Sequence, residues 1–504
     1  MNNRTRKAAI NSAAGIFYEI ATIIAGLVLP RLILGAFGSK YNGISSSITQ
    51  FLSFVALLRA GVGGVTKAAL YKPLANGDVN RISGIIKATE KFMRRVAFIF
   101  LALLVGMACT YPYLVRKEFE WLFTASLVLI IGLSTFAQYY FGITYQMLLE
   151  ADQQHWVVYV ISTFTTILNV ITAVLLINNG LGIHAVKLGS SLVFCINPIA
   201  INLYVKKKYK LDHSVPADNS AIKQRWDAFA QQVAMMVRDN TDIIVLTVFT
   251  NTLEVSVYSV YFLVIKAMNS LLRSFTNGIG GAFGNMIAKN EENLLNKNFR
   301  VYELVVYSIA IIMYSCTCLL IVPFVMIYTK GVVDIDYSRP VFGYVLSFAY
   351  LFYCIRIPYQ TIVEVAGHFR QTKQGAYFEA VLNITSSIFL CWKFGIVGVA
   401  IGTLLAMAFR TFQYALYITK AGLIKRGNSV FIKRILVCLS NVIAIIILGQ
   451  WIPTVKSINY LSWLLNALIT GFFALAVTAV FDWLFYRADM RVLVEKIFSL
   501  RRRK

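Results

Sequence analysis

Residues 156–178 read WVVYVISTFTTILNVITAVLLIN, with no Asp, Glu, Lys or Arg among them. As an α-helix the stretch would be about 34 Å long at ~1.5 Å per residue, enough to cross a hydrocarbon core of about 30 Å. The pattern continues outward in both directions. Apolar runs of spanning length lie at 11–36, 43–68, 92–114, 121–149, 181–205, 227–250, 256–285, 301–328, 338–365, 374–393, 396–420, 431–452 and 459–486. The expectation is an all-α polytopic membrane protein with about fourteen transmembrane helices. Composition agrees: 58% of residues are hydrophobic and 14% charged, where a soluble chain carries about 25% charged residues.

The formal net charge is +25. On a soluble domain this would suggest nucleic acid, but here the bases sit in short loops between apolar runs, which excludes a nucleic-acid partner. Assigning the N-terminus to the cytoplasm puts about 32 Lys and Arg in inner segments and about 7 in outer loops, a split that fixes the orientation. Both termini are then cytoplasmic, and the chain is a multi-pass protein of the cytoplasmic membrane. The first run is too long for a signal-peptide core and is read as a retained helix. The basic segment 81–92 is expected to lie on the inner leaflet against membrane lipids. Seven cysteines and four histidines are scattered without ligand spacing, so no metal and no cofactor are expected.

The chain also repeats itself. Tyr145-Gln146-Met-Leu-Leu-Glu150 recurs 214 residues later as Tyr359-Gln360-Thr-Ile-Val-Glu364, and Leu168-Asn169 recurs at the same offset as Leu382-Asn383. Gly182-Ile-His-Ala-Val-Lys-Leu-Gly189 recurs as Gly395-Ile-Val-Gly-Val-Ala-Ile-Gly402 at an offset of 213. Six helices separate the copies, an even number, so the copies share one orientation. Helices 1–6 and 7–12 are read as two parallel lobes and helices 13 and 14 as an appendix. The expected domains are an N-lobe at 1–205, a cytoplasmic linker at 206–226, a C-lobe at 227–425, and 426–504 with the last two helices and a basic tail. Rocking of two such lobes about a central cavity gives alternating access.

A charge inside a membrane helix costs roughly 2.5–3.5 kcal/mol or more and needs a reason. Those read from the spans are Glu19, Arg31, Arg59, Lys67, Lys187, Arg238, Asp239, Asp242, Lys266, Arg273, Arg356, Glu364 and Arg410. Nine are cations and four are acids, so cations are in surplus. Arg356, Gln360 and Glu364 recur every four residues and are expected to share one helix stripe. Arg59, Lys266, Arg273, Arg356 and Arg410 are the expected lining of a cationic cavity that takes an anionic substrate such as a lipid diphosphate. Glu19, Asp239 and Asp242 are the candidates for coupling to an ion gradient.

Four motifs then carry a resemblance: Pro30-Arg31-Leu-Ile-Leu, Arg59-Ala-Gly-Val-Gly-Gly, Asn240-Thr241-Asp242, and Gly395-Ile-Val-Gly-Val-Ala-Ile-Gly402-Thr. Over nearly its whole length the chain resembles the Wzx-type oligosaccharide-lipid flippases, the polysaccharide-transporter branch of the multidrug/oligosaccharidyl-lipid/polysaccharide exporter superfamily. The resemblance implies a MATE-like fold and translocation of an undecaprenyl-diphosphate-linked oligosaccharide repeat unit for surface polysaccharide assembly. It also implies a polymerase and glycosyltransferases as working partners. The alternatives are a lipid II-type flippase, a drug/cation antiporter of the same superfamily, and a membrane glycosyltransferase or polymerase. An antiporter cavity should be net acidic. An enzyme needs an outer-loop acid or base, and the outer loops are short.

Overall fold

Residue 156 opens a helix whose two faces are the reverse of a soluble one. In α7 (His155–Asn178) the exposed face carries Val160, Phe164, Ile167, Ile171 and Leu175, while Thr165 and Asn169 are buried. Lipid takes the apolar side chains, and the backbone satisfies its own hydrogen bonds, so polar side chains turn inward. The computed structural model describes residues 3–55, 62–212, 214–218, 241–276, 279–452 and 459–501, and among these the regular structure is entirely helical.

The elements before α7 are α1 (Asn3–Phe37), α2 (Ser39–Val55), α3 (Val62–Asn76), α4 (Val79–Leu114), α5 (Trp121–Ala137), a π-helical turn (Gln138–Gly142) and α6 (Ile143–Ala151). After it come α8 (Ile183–Lys208), a helical stretch over 241–249, α9 (Thr252–Thr276), α10 (Ile279–Ala288), α11 (Glu292–Tyr328), α12 (Pro340–Ile355) and α13 (Ile357–Val365). The chain continues with α14 (Phe369–Lys420), α15 (Asn428–Gly449), α16 (Tyr460–Phe485) and α17 (Arg487–Arg501). Eleven of the described helices are long and apolar enough to cross a membrane. One of them, α14, has 52 residues, or about 78 Å, more than twice a membrane core. Gly395, at φ 55°, breaks it into two antiparallel spans, as the separate runs 374–393 and 396–420 predict. The runs 43–68 and 227–250 each include residues outside those described.

Two compact units divide the chain, Met1–Ser256 and Val257–Lys504. In the first, α1 packs along α7, α7 on α8, α8 on α5, and α5 on α4. Hydroxyl and amide pairs tie its helices: Ser47 with Thr247 at 2.7 Å, Tyr111 to Ser47 at 2.8 Å, and Asn42 to Ser256 at 2.9 Å. Such interhelical bonds are common glue where lipid offers none. In the second unit α12 packs along α14, and α11 lies on α12, α15 and α16.

The repeat has a backbone counterpart. The nine-residue helices α6 and α13 begin at Ile143 and Ile357, 214 residues apart, and each follows an interruption. In the first unit the interruption is the π turn. In the second it falls at Arg356, two residues before Pro358, whose ring removes a backbone donor and disfavours helical geometry at Ile357.

Candidate functional site

Gln360 N donates to the Arg356 carbonyl at 3.0 Å, so the backbone stays helical across the interruption, yet the two side chains take different partners. Gln360 and Glu364 stay on one helix face and bond each other at 2.6 Å. Arg356 is 1% exposed, and its Nη1 donates to Glu379 Oε1 at 2.7 Å. The expected spacing of the stripe is kept along the backbone, and the first member of it turns its side chain to α14 rather than to Gln360. On the second half of α14, Arg410 brings Nε within 3.5 Å of Glu379 Oε2. Arg410 also donates through Nη1 to Gln413 Oε1 at 2.6 Å and to the Thr372 carbonyl at 3.0 Å, and through Nη2 to the Tyr414 hydroxyl at 2.9 Å.

Two arginines therefore share one carboxylate in a buried site, and the triad carries one net positive charge. Arg356 Nε and Nη2 are buried and have no hydrogen-bond partner among the described residues. Its guanidinium lies 4.6 Å from the centroid of the Tyr353 ring, and Arg273 of α9 approaches the same ring at 5.5 Å. Ring quadrupoles offset part of each cation's desolvation. Arg356, Glu379 and Arg410 each lie about ten residues from the near ends of their helices, Val365, Phe369 and Lys420, which Tyr417 and His368 hold together at 2.9 Å. Ten residues span roughly 15 Å, so the three side chains lie at about one level along their helices.

The other predicted residues fall as follows. Arg273 and Lys266 are exposed on α9. Arg59 and Asp239 lie outside the described residues, as does Arg238. Asp242 is buried at 6% exposure, and Glu19 is exposed on α1. Lys67 pairs with Glu150 at 2.9 Å. The four acids read from the spans omit Glu303, Glu379 and Asp482, which lie within the runs 301–328, 374–393 and 459–486. Glu379 was legible as the one carboxylate within the span 374–393. Glu303 is fully buried, accepts from Arg426 Nη1 at 2.7 Å and lies 3.2 Å from Arg434 Nε. Tyr359 donates to it as well. This second network anchors α13 to α11 and α15.

In the first unit the offsets of the repeat place Gly142, Thr165 and Asn197 where the second has Arg356, Glu379 and Arg410. No charge occupies these positions. Asn197 Nδ2 donates to Ser162 Oγ at 2.8 Å, and Thr165 Oγ1 to the Ser162 carbonyl at 3.0 Å. Both residues line a polar cavity of about 300 Å³.

No protein-family model matches the sequence, and no curated protein matches it. Among solved structures the fold is that of the lipid II flippase MurJ in an inward closed conformation, with a TM-score of 0.70 at 16% identity over 94% of this chain and 99% of that one. An inward-facing multidrug resistance MATE family transporter of the MOP superfamily matches with a TM-score of 0.60 at 12% identity, over 80% of this chain and 95% of that one. The chain thus has the MurJ/MATE-like fold.

Proposed function

We propose that this chain is a flippase that moves an undecaprenyl-diphosphate-linked oligosaccharide repeat unit from the inner to the outer leaflet of the cytoplasmic membrane, by alternating access, for surface polysaccharide assembly. The observation that carries the reading is the triad. Two buried guanidiniums with a single carboxylate, and two nitrogens of Arg356 with no partner among the described residues, form a site whose charge and donors are completed by an anion. A diphosphate supplies two charges and several acceptor oxygens, and arginine's planar fork suits bidentate contact with it. Lys266 and Arg273, exposed on α9, would extend the cationic surface toward Arg356. The polysaccharide polymerase and glycosyltransferases would be its working partners, and both termini would face the cytoplasm.

A second reading has its own support. The MurJ-like fold favours a lipid II-type flippase, whose substrate shares the diphosphate and differs in the glycan. An antiporter for cationic drugs sits poorly with a net positive buried site.

The test is flipping by purified protein in vesicles, with a labelled polyprenyl-diphosphate oligosaccharide and lipid II offered in parallel. Because Arg273 is exposed and holds no buried pair together, Arg273→Ala should fold normally. It should weaken headgroup binding by roughly ten- to a hundredfold, the effect of one charge-assisted contact. Arg273→Lys should recover only part of this. Wild-type flipping of neither lipid, or undiminished binding by a folded Arg273→Ala protein, would overturn the reading.

A further inference from the structure

The first unit contains an opening that the headgroup reading leaves without a role. A cavity of about 420 Å³, lined among others by Lys187, Asn169, Ser190 and Gln138, adjoins the polar cavity of about 300 Å³. The two share Ser134, Thr135, Gln138 and Phe194 as a common wall. From α7 the lining residues His155, Tyr159, Ser162, Thr166, Asn169 and Ala173 recur every three or four residues. One helix face therefore borders the opening for most of the length of α7, and its polar groups are hydroxyls, amides and aromatic rings. Acids are absent from the lining of both cavities among the described residues, and Lys187 is the only Lys or Arg.

Two groups in this lining lack partners among the described residues. Asn169 is 2% exposed, and its Oδ1 is buried without a hydrogen bond. Lys187 forms no hydrogen bond or ion pair among the described residues. Packing does not demand a lysine there: the repeat places Ala400, fully buried, at the equivalent position of the second unit. A cation without an acid inside a membrane helix is costly. It also lies within the first turns of α8, where the helix's positive end favours an anion rather than a second cation.

We infer that this double cavity is a glycan-binding site and that Lys187 selects an acidic sugar by pairing with its carboxylate. The inference rests on the flippase reading for its physiological ligand. The chemistry is that of carbohydrate recognition: uncharged donors and acceptors pair with hydroxyls, rings such as Tyr159 cover sugar faces, and one fixed cation meets one fixed acid. Asn169 Oδ1 accepts from a hydroxyl beside it. A neutral sugar leaves Lys187 unpaired and binds more weakly.

The test uses the full-length protein in detergent and three probes. These are a polyprenyl-diphosphate oligosaccharide with a terminal uronic acid, the same lipid with that acid reduced to the alcohol, and the lipid-free acidic oligosaccharide. The wild type should bind the acidic lipid about tenfold or more tightly than the reduced one, the effect of one charge-assisted contact. Lys187→Gln should bring that ratio to about one without weakening the reduced lipid, and Lys187→Arg should keep most of it. The lipid-free acidic oligosaccharide should show the same loss in Lys187→Gln. That arm supports the glycan site even where no diphosphate lipid binds, which separates its failure from failure of the flippase reading. An unchanged preference in Lys187→Gln overturns the inference. So does an equal loss for acidic and reduced lipids, which would make Lys187 a diphosphate contact. If Lys187→Gln fails to fold, Lys187→Arg and Asn169→Ala carry the test. Wild-type-like binding of the acidic lipid in Asn169→Ala, or no acidic preference in the wild type, then counts against the site.

Discussion

The two units build the same backbone device and fill it with opposite chemistry. Each interrupts a span and follows the interruption with a nine-residue helix. Each bonds the Gln and Glu of that helix, at 3.0 Å for Gln146 with Glu150 and 2.6 Å for Gln360 with Glu364. Each buries an asparagine whose Oδ1 has no partner among the described residues, Asn169 and Asn383. The units diverge at three equivalent positions. In the first unit Gly142, Thr165 and Asn197 put no charge at these positions, and Thr165 and Asn197 border a cavity; in the second Arg356, Glu379 and Arg410 fill them with an ionic triad. The repeat thus sets the geometry of the break, and three side chains set the polarity of what surrounds it.

The strongest way to break this comparison is to remove the carboxylate. Glu379→Gln leaves two buried guanidiniums facing each other without an acid. Losing one partner of a buried pair typically costs about 3–5 kcal/mol. Thr165→Val, its counterpart, loses one hydroxyl bond to a backbone carbonyl and should cost about 1 kcal/mol. Thermal unfolding of the two detergent-solubilised variants by tryptophan fluorescence should therefore give a much larger drop in Tm for Glu379→Gln. Equal drops would mean that Glu379 is not what compensates the arginines. An added diphosphate salt should restore more of the Tm deficit of Glu379→Gln than of Thr165→Val, since two arginines flank the lost carboxylate and none flanks Thr165.

The spans and the repeat behind this contrast are legible in the sequence, and the triad, which is not, stays hidden for a physical reason. Residues 156–178 announce a span because lipid imposes a length and forbids unpaired charge. Gly395 announces a break because it begins the second copy of a glycine-spaced motif. The repeat itself came from residue identities at one offset. The triad did not, because pairing across helices depends on how each helix is rotated and where it is interrupted. Arg356 and Glu379 are 23 positions apart on different helices, and an i, i+4 reading directs Arg356 to Gln360 instead. The π turn at Gln138–Gly142 has no marker of its own in the sequence. Its equivalence to Arg356 emerges only when the offset is applied to the two backbones.

A smaller effect sharpens the comparison at its hinge. Gly142 stands where the second unit has Arg356, yet the first unit has no room there for a methyl group. A Cβ on Gly142 would come within 2.4 Å of Pro198 Cβ and 2.7 Å of its Cα. The obstacle includes backbone, so α6 and α8 would have to separate. Gly142→Ala should cost about 1–3 kcal/mol, the usual penalty for overpacking. Limited proteolysis and thermal unfolding would register it. A neutral outcome would show that the two helices yield at this crossing, and that the glycine is not what keeps a side chain out of the first unit.

The smallest effect discriminates most finely, because it asks what the repeated asparagine is for. Asn383 donates through Nδ2 to Thr403 Oγ1 at 3.1 Å, so its amide joins the two halves of α14. Asn383→Ala loses that bond and leaves the threonine hydroxyl in a buried place, at a cost of about 1 kcal/mol. Asn169 has no such bond among the described residues and borders the cavity that holds Lys187. Truncating it removes a buried acceptor that no described residue satisfies, so Asn169→Ala should change stability by less than about 0.5 kcal/mol and leave Tm close to the wild type's. Its effect should appear instead in binding of an oligosaccharide, as a loss of severalfold that Asn383→Ala does not show. The same residue would then serve packing in one unit and ligand recognition in the other. If Asn169→Ala lowers Tm as much as Asn383→Ala and leaves oligosaccharide binding unchanged, both asparagines serve packing and the contrast between the units narrows to the three charged positions.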